Sequence, residues 1–292
     1  MFAILGAAGK VGYATATALR AAGFPVRAIL RDPAKASRLS GLGCDVAIAD
    51  LMDPAALAEA IADAEAVQII LPPPLRAEDA RAEMRRATGS MVEALRSARA
   101  RRVLAISDYG AHVPDDIGMP TMYRLFEENL RPLPLSKIIL RSAEHMEGWA
   151  RAIPVALATG ILPTLHQEMD RDFATVSAAD VGRIAADLLS EPETGGPERI
   201  VHAEGPRRCS AADVAGAVSA LAGRAIAARA VSRSEWQQSL ERVVSPSIAS
   251  LLVDTYDAHD RGGLIDVEPG RGEVRRGTTD LTDALRRFVP VA

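Results

Sequence analysis

Phe2-Ala3-Ile4-Leu5-Gly6-Ala7-Ala8-Gly9-Lys10-Val11-Gly12-Tyr13 follows the initial methionine, and the reading of this stretch decides the fold. An apolar run of strand type meets glycines spaced G-x-x-G-x-x-G, and an alanine-rich helical run over 14–22 follows. A strand that turns through glycine into a helix N-terminus is an anion site. Its unpaired backbone N–H groups and the positive end of the helix both face the incoming phosphate. In that setting Gly6 permits the tight turn, Gly9 lets a pyrophosphate approach the backbone, and Gly12 lets helix and strand pack closely. Glycine triplets alone are weak signals. The strand before, the helix after and a second strand at the right distance make this one a dinucleotide site, with Ala7, Ala8, Lys10 and Val11 completing its loop.

The whole chain bounds what that site can serve. Its 292 residues suffice for one large α/β domain, or a cofactor domain with a smaller lobe. A hydrophobic share of 48% excludes bulk disorder, and a net charge of −4 argues against a nucleic-acid surface or a polybasic membrane anchor. Cys44 and Cys209 stand far apart, giving neither a metal cluster nor a disulfide framework, so a reducing cytoplasm is the expected compartment. No apolar run approaches the roughly 20 residues that span a bilayer, and the glycine-broken start does not read as a signal peptide.

Gly23 stops the first helix, and 25–30 form a second strand ending at Arg31-Asp32-Pro33-Ala34-Lys35. An acid at this strand end would accept from a ribose 2′-hydroxyl, whereas arginine accommodates a 2′-phosphate. Arg31, with Lys35 one turn on, favours NADP(H), since guanidinium binds phosphate in a bidentate fork. Asp32 next door could instead reach a ribose, so NAD(H) stays possible. A third strand over 43–50 ends at Asp50, which either accepts from an adenine amino group or only satisfies its own loop. Asp53 and Pro54 then start a helix over 55–62. The fourth strand, 65–71, is cut off by Pro72-Pro73-Pro74, which force the chain outward as a stiff wall over the cofactor. An amphipathic helix over 77–98 puts Ala80, Met84, Ala87, Met91 and Leu95 on one face, and 102–107 form the fifth strand. This alternation predicts an α/β doubly wound parallel sheet of Rossmann type.

These stretches resemble the NmrA-like, atypical branch of the short-chain dehydrogenase/reductase superfamily. The likeness is carried by Gly6 to Gly12, by Val26 to Lys35, by Ile48-Ala49-Asp50-Leu51-Met52-Asp53, by Ile70-Leu71-Pro72-Pro73, by Ile106-Ser107-Asp108-Tyr109-Gly110-Ala111 and by Ile138-Ile139-Leu140-Arg141. It runs over most of the chain and thins after residue 205. It implies an extended NAD(P) along the carboxyl edge of the sheet, with Leu51, Leu71, Pro72 and Ser107 among its contacts. Some relatives look like reductases of quinones or other small acceptors, others like redox sensors that bind the dinucleotide without turning it over.

Typical members of the superfamily carry Tyr-x-x-x-Lys after the fifth strand, the lysine lowering a tyrosine pKa that is otherwise about 10. Here Tyr123 is followed at that spacing by Glu127. A carboxylate would raise the phenol instead, and Arg124 points about 100° away on a helix. Alcohol dehydrogenase chemistry is therefore disfavoured. Hydride transfer to a quinone, flavin or azo acceptor stays open, because the reduced product takes protons readily. Tyr123, Tyr109 and His145 are the candidate catalytic or substrate-positioning residues, with Tyr123 alternatively packing its ring between lobes.

His145, Met146 and Trp149 suit the lining for a flat apolar substrate, and 150–167, apolar and proline-broken, suit a mobile flap. A strand from 173 leads into a helix capped by Ser177, a segment that in relatives looks like the return to the main sheet; Gly195-Gly196-Pro197 turn into a strand over 198–203. Helices over 211–222, 234–243, 246–262 and 280–288, with a short strand at 229–231, follow, and 268–272 form a loop. The expected division is a Rossmann domain over 1–145, rejoined by 173–205, and a smaller α/β substrate lobe from 146–172 and 206–292. The expectation is an NADPH-dependent reductase of a small conjugated substrate, monomeric or homodimeric, with a non-catalytic NADP(H) sensor as the alternative. An isomerase or dehydratase on bound NAD is the least favoured reading.

Overall fold

A computed structural model describes residues 1–193 and 196–290. Short runs of Ala, Val, Ile and Leu that are buried on both faces can exist only as inner strands of a parallel sheet, and helices must cover them. The chain obeys this from its first residues: β1 (Phe2–Leu5), α1 (Lys10–Ala21), β2 (Val26–Leu30), α2 (Ala36–Ser40), β3 (Asp45–Ile48), α3 (Pro54–Ile61), β4 (Ala66–Ile70), α4 (Ala80–Ser97), β5 (Arg102–Asp108), α5 (Met119–Leu130) and β6 (Ser136–Ser142). Then come β7 (Glu144–His145), α6 (Ile153–Thr159), β8 (Ile161–Thr164), β9 (Thr175–Val176), α7 (Ala178–Ser190), β10 (Glu198–Glu204), α8 (Ala211–Ala222), β11 (Ala227–Ala230), α9 (Trp236–Glu241), α10 (Pro246–Arg261), β12 (Glu273–Arg276) and α11 (Leu281–Leu285).

Eight strands form one parallel sheet in the order β12-β10-β6-β5-β4-β1-β2-β3. Ile4 sits between Ala28 of β2 and Gln68 of β4, so the order reverses between β1 and β4. A crevice therefore opens at the carboxyl ends of these two strands, where open α/β sheets bind ligands.

Each face has its own core. On one, Met84, Met91 and Leu95 of α4 pack with Phe126 of α5, and Trp236 and Ile248 from α9 and α10 join them. Burying Met84, Met91 and Leu95 stabilises by about 1.5–3 kcal/mol each, as an upper estimate. On the other face, α1 lies against α7 with Val11, Ala16 and Leu19 meeting Val181 and Ala185. The contact is close because position 182 is glycine: a Cβ there would stand 2.5 Å from the Ala14 Cβ. A third cluster, with Trp149, Leu162, Val218 and Leu285, holds the lobe together around the two-stranded β11-β8 sheet.

Three expectations change. Residues 150–167 are no loose flap: they form α6 and β8, and Gly160 ends α6 in the left-handed conformation, at φ 76°. The strand from 173 is only Thr175–Val176 and pairs with β7, while β10 makes the return to the main sheet. An unforeseen strand, β12, lies within the expected lobe span yet closes the main sheet's edge beside β10. Of the turn expected at 195–197, Gly195 lies outside the described residues. Among the described residues, no helix is long and apolar enough to cross a membrane.

Candidate active site

A cleft of about 1230 Å³ runs along the carboxyl edge from β3 to β6. That exceeds the roughly 300–1000 Å³ of a single drug-sized pocket, and leaves room for an extended dinucleotide and a second molecule. At its centre, Gly6 turns the chain at φ 72°, and its N–H and that of Ala7 both bond the Ile29 carbonyl, at 3.1 and 3.2 Å. The end of α1 that faces this turn is left open. Gly9 gives α1 no side-chain cap, unlike Asp53, Asp79, Ser177, Ser210, Ser245 and Asp280 on α3, α4, α7, α8, α10 and α11. Helices α2, α5, α6 and α9 also lack a side-chain cap, but only α1 opens onto the glycine turn, and its first turn holds no acid. The unpaired N–H groups of that turn are what a phosphate satisfies. Gly12 keeps them close to the turn, since a Cβ there would lie 2.5 Å from the Gly6 carbonyl oxygen. The site fits a pyrophosphate.

Gly6, Ala8, Gly9, Lys10, Val11 and Gly12 line the cleft; Ala7 does not, its side chain being buried in the core. Arg31, exposed at the end of β2, and Lys35 line the next section. Asp32 is the residue that left the cofactor open. Its carboxylate accepts from the Ala34 N–H at 3.0 Å and lies 4.0 Å from the Lys35 ammonium, so it caps its own turn. Arg31 makes no ion pair among the described residues, which suits a 2′-phosphate better than a ribose. Asp50 lines the cleft too, with one oxygen taking the Met52 N–H at 2.8 Å. Leu51, Leu71, Pro72 and Ser107 border it, and the three prolines run along its rim.

The far end is built by β5, α5 and the start of β7. Tyr123 lines it, but its hydroxyl donates to the Leu71 carbonyl at 3.0 Å. Burial, then the charge of Asp108, pushes its pKa upward, so it stays a phenol. Glu127, at the position of the missing lysine, does not reach Tyr123's hydroxyl chemistry. It is fully buried, accepts from the Ser107 hydroxyl at 2.6 Å and forms a two-point pair with Arg141 at 2.9 and 2.7 Å. Burial opposes the Arg141 charge, yet Glu127 and Glu268 hold its pKa above the ordinary value. The acid thus ties β5, α5 and β6 together; the carboxylate that acts on Tyr123 is Asp108.

His145 stands on the cleft wall with Nε2 2.9 Å from the Ser142 hydroxyl, and burial lowers its pKa, leaving it neutral at pH 7. Tyr109 is elsewhere. Its ring is 1% exposed and edge-on to His202 at 5.6 Å, near Glu204 and Arg208, and it does not line the cleft. Burial and Glu204 raise its pKa, so it is no proton donor to this site. The fifth strand turns Tyr109 into the core while its neighbour Asp108 faces the cleft.

Asp108 and Glu144 were missed. Burial, helped by repulsion from Glu144 and Glu127 and opposed by the Tyr109 N–H, raises the Asp108 carboxyl to about 7. Its place at the end of β5 was the available signal, because ligands collect at carboxyl strand ends. Glu144, just past β6, lines the same section and contacts His166 at 3.3 Å.

Residues 6–192 match a protein family described as NAD(P)H-binding. Along 269 residues the chain is 25% identical to quinone oxidoreductase 2 of Escherichia coli, covering 91% of this chain and 90% of that protein. It is 24% identical to an NAD(P)H azoreductase of Xenophilus azovorans, over 88% of this chain and 86% of the other. The solved NADPH complex of the E. coli quinone oxidoreductase superimposes with a TM-score of 0.81 at 22% identity, covering 99% of both chains, and so shares the fold. The family match spans more than half of the sequence and includes the glycine loop: the chain belongs to the NAD(P)H-binding family.

Proposed function

We propose that this chain is an NADPH-dependent reductase of a small, flat, conjugated acceptor of quinone, flavin or azo type. The observation that carries the reading is one continuous cleft: an uncapped glycine-loop helix, then Arg31 at one end, and an open section beside Asp108, Tyr123 and His145 at the other. Relatives named quinone oxidoreductase and azoreductase, aligned along nearly the whole chain, support the choice of acceptor.

The residues would divide the work as follows. The open N–H groups of α1 hold the pyrophosphate, and Arg31 with Lys35 the 2′-phosphate. Bound nicotinamide supplies the hydride. Tyr123, Pro72 and Pro73 wall the ring site, and His145 stays neutral as a hydrogen-bonding wall group. Asp108, protonated below about pH 7, is the group placed to give a proton to the acceptor oxygen or nitrogen. No lysine is required for this, because the proton comes from a carboxyl and not from a phenol.

Steady-state NADPH oxidation with a panel of quinones, flavins and azo dyes tests the reading. Turnover with at least one class is expected; tight NADPH binding with no turnover of any would sink it. The engaged hydroxyl of Tyr123 favours one second reading, a redox sensor. That reading needs NADP⁺ and NADPH to bind with different affinities, since a ligand with equal affinity for two states shifts neither. Equal dissociation constants by calorimetry would remove it.

A further inference from the structure

Glu144 joins two cavities. It lines the reaction cleft, and its Oε2 lies 3.3 Å from His166 Nε2 and 4.0 Å from His259 Nε2. Both histidines border a second, smaller cavity of about 60 Å³ on the lobe side, also edged by Arg171 and Asp260. That volume holds water. The His166 ring cannot turn: it stacks on Phe173 at 4.0 Å and on Trp149 at 5.8 Å, with the edges of Tyr256 and His259 at 5.1 Å. This packing holds one ring nitrogen on the carboxylate. The charged and titratable groups facing Glu144 are His166, His259, Arg151, Tyr256, His145 and Asp108. Burial would raise the Glu144 carboxyl, but His166 and then His259 hold it below its usual range. Burial, and the charge of His166, push His259 down to about 4, so His259 is neutral at pH 7, and His166 is the nearer of the two ring nitrogens to the carboxylate.

We propose that His166 and Glu144 form a proton path from the second cavity into the reaction cleft, with His259 a positioning residue that fixes the His166 ring. The proposal rests on the reductase reading. One hydride and one proton reduce the acceptor for each NADPH oxidised. Hydride addition leaves an anion on the acceptor; an O–H or N–H bond forms there as the Asp108 O–H breaks. A proton from the second cavity then binds His166, the Nε2 proton passes to the Glu144 carboxylate, and Glu144 releases it through cleft water to restore Asp108. The path brings protons to the reacting end from the lobe side, independently of the part of the cleft that the ligands occupy.

Glu144→Gln keeps the shape and removes the proton carrier; His166→Phe keeps the stack and removes the nitrogens. In both, the dissociation constant for NADPH is expected to stay at the wild-type value, while turnover falls roughly tenfold or more and its solvent isotope effect rises. Glu144→Asp is expected to recover part of the rate, and His259→Asn to lower turnover less than His166→Phe. A readout independent of turnover is the NMR chemical shift of the His166 ring nitrogens, which should change in Glu144→Gln because the carboxylate 3.3 Å from Nε2 is gone. Wild-type turnover, pH profile and isotope effect in folded Glu144→Gln and His166→Phe would overturn the path alone. A wild-type protein that turns over no acceptor would overturn the reductase reading, and the path with it.

Discussion

Gly12→Ala puts a methyl group 2.5 Å from the Gly6 carbonyl oxygen and 2.9 Å from the Ala7 Cα. Both are backbone atoms of the phosphate turn, and neither can swing aside as a side chain can. The first turn of α1 must retreat by roughly 1 Å to restore ordinary contact, a displacement that can cost about a hundredfold in a positioned site. Overpacking of this kind costs about 1–3 kcal/mol, of which the better helix propensity of alanine offsets about 1 kcal/mol. Net destabilisation is therefore small, about 0–2 kcal/mol, while NADPH affinity falls by roughly ten- to a hundredfold, or about 1.4–2.7 kcal/mol. The control is Gly216→Ala in α8, exposed and with nothing within 4 Å of the added Cβ. It should gain about 1 kcal/mol and bind NADPH unchanged. Urea unfolding and calorimetric titration with NADPH measure both quantities. A Gly12→Ala protein that binds NADPH like the wild type would refute the idea that this turn cradles the pyrophosphate.

Arg31→Ala should weaken NADPH by about 1.5–3 kcal/mol, the range of a charge-assisted bond, and change NADH less than about twofold; equal losses for both cofactors would show that Arg31 does not read the 2′-phosphate. Glu127→Gln leaves Arg141 buried without its two-point partner and should cost about 3 kcal/mol, the low end for a broken buried pair because Glu268 still contacts Arg141 at 2.6 Å; urea denaturation checks this. Asp108 is raised to about 7 in the folded protein, so its proton stabilises the fold at low pH and that contribution is lost as pH rises from about 4 toward 7. Asp108→Asn should therefore gain stability relative to the wild type across that window, and its kcat/KM should be low and flat where the wild type's falls above about pH 7. Asp53→Ala removes two bonds of 3.0 Å to the Ala55 and Ala56 N–H groups and should cost about 1 kcal/mol by thermal unfolding, with NADPH affinity intact.

The Rossmann half was legible because it rests on local rules. Apolar runs such as Phe2–Leu5 and Ala66–Ile70 are buried throughout or nearly so, and only a parallel sheet accepts them. Caps at Asp53 and Ser177 are short-range chemistry and lie where the residue types put them. The strand β12 was not legible for the same reason. Glu273-Val274-Arg275-Arg276 is charged and mostly exposed, and it becomes a strand only because β10 offers it a free edge far away in sequence. The segment 150–167 misled in the other direction: prolines at 154 and 163 looked like breaks, but Pro154 fills the first turn of α6, where no N–H is needed, and Pro163 sits in β8, a strand with one neighbour.

The reacting end of the cleft depended on which side chains at the end of β5 face it. Ile106, Ser107 and Asp108 border the cleft while Tyr109, one step on, turns into the core against His202. Tyrosine is the familiar proton donor, which singles out Tyr109 and Tyr123 and hides the carboxyl of Asp108 just before the first of them. Burial then reverses their merits. It makes both phenols weaker acids, and it makes the carboxyl a proton carrier near neutrality. Glu127 has a different part: buried and paired at two points with Arg141, it is a strut between α5 and β6. Under the proposed function, glutamate in place of the superfamily's typical lysine goes with a change of acid, from a phenol tuned by a cation to a carboxyl tuned by burial. The pH dependence of turnover discriminates the two, because a phenol-based donor would keep working well above pH 7 and Asp108 would not.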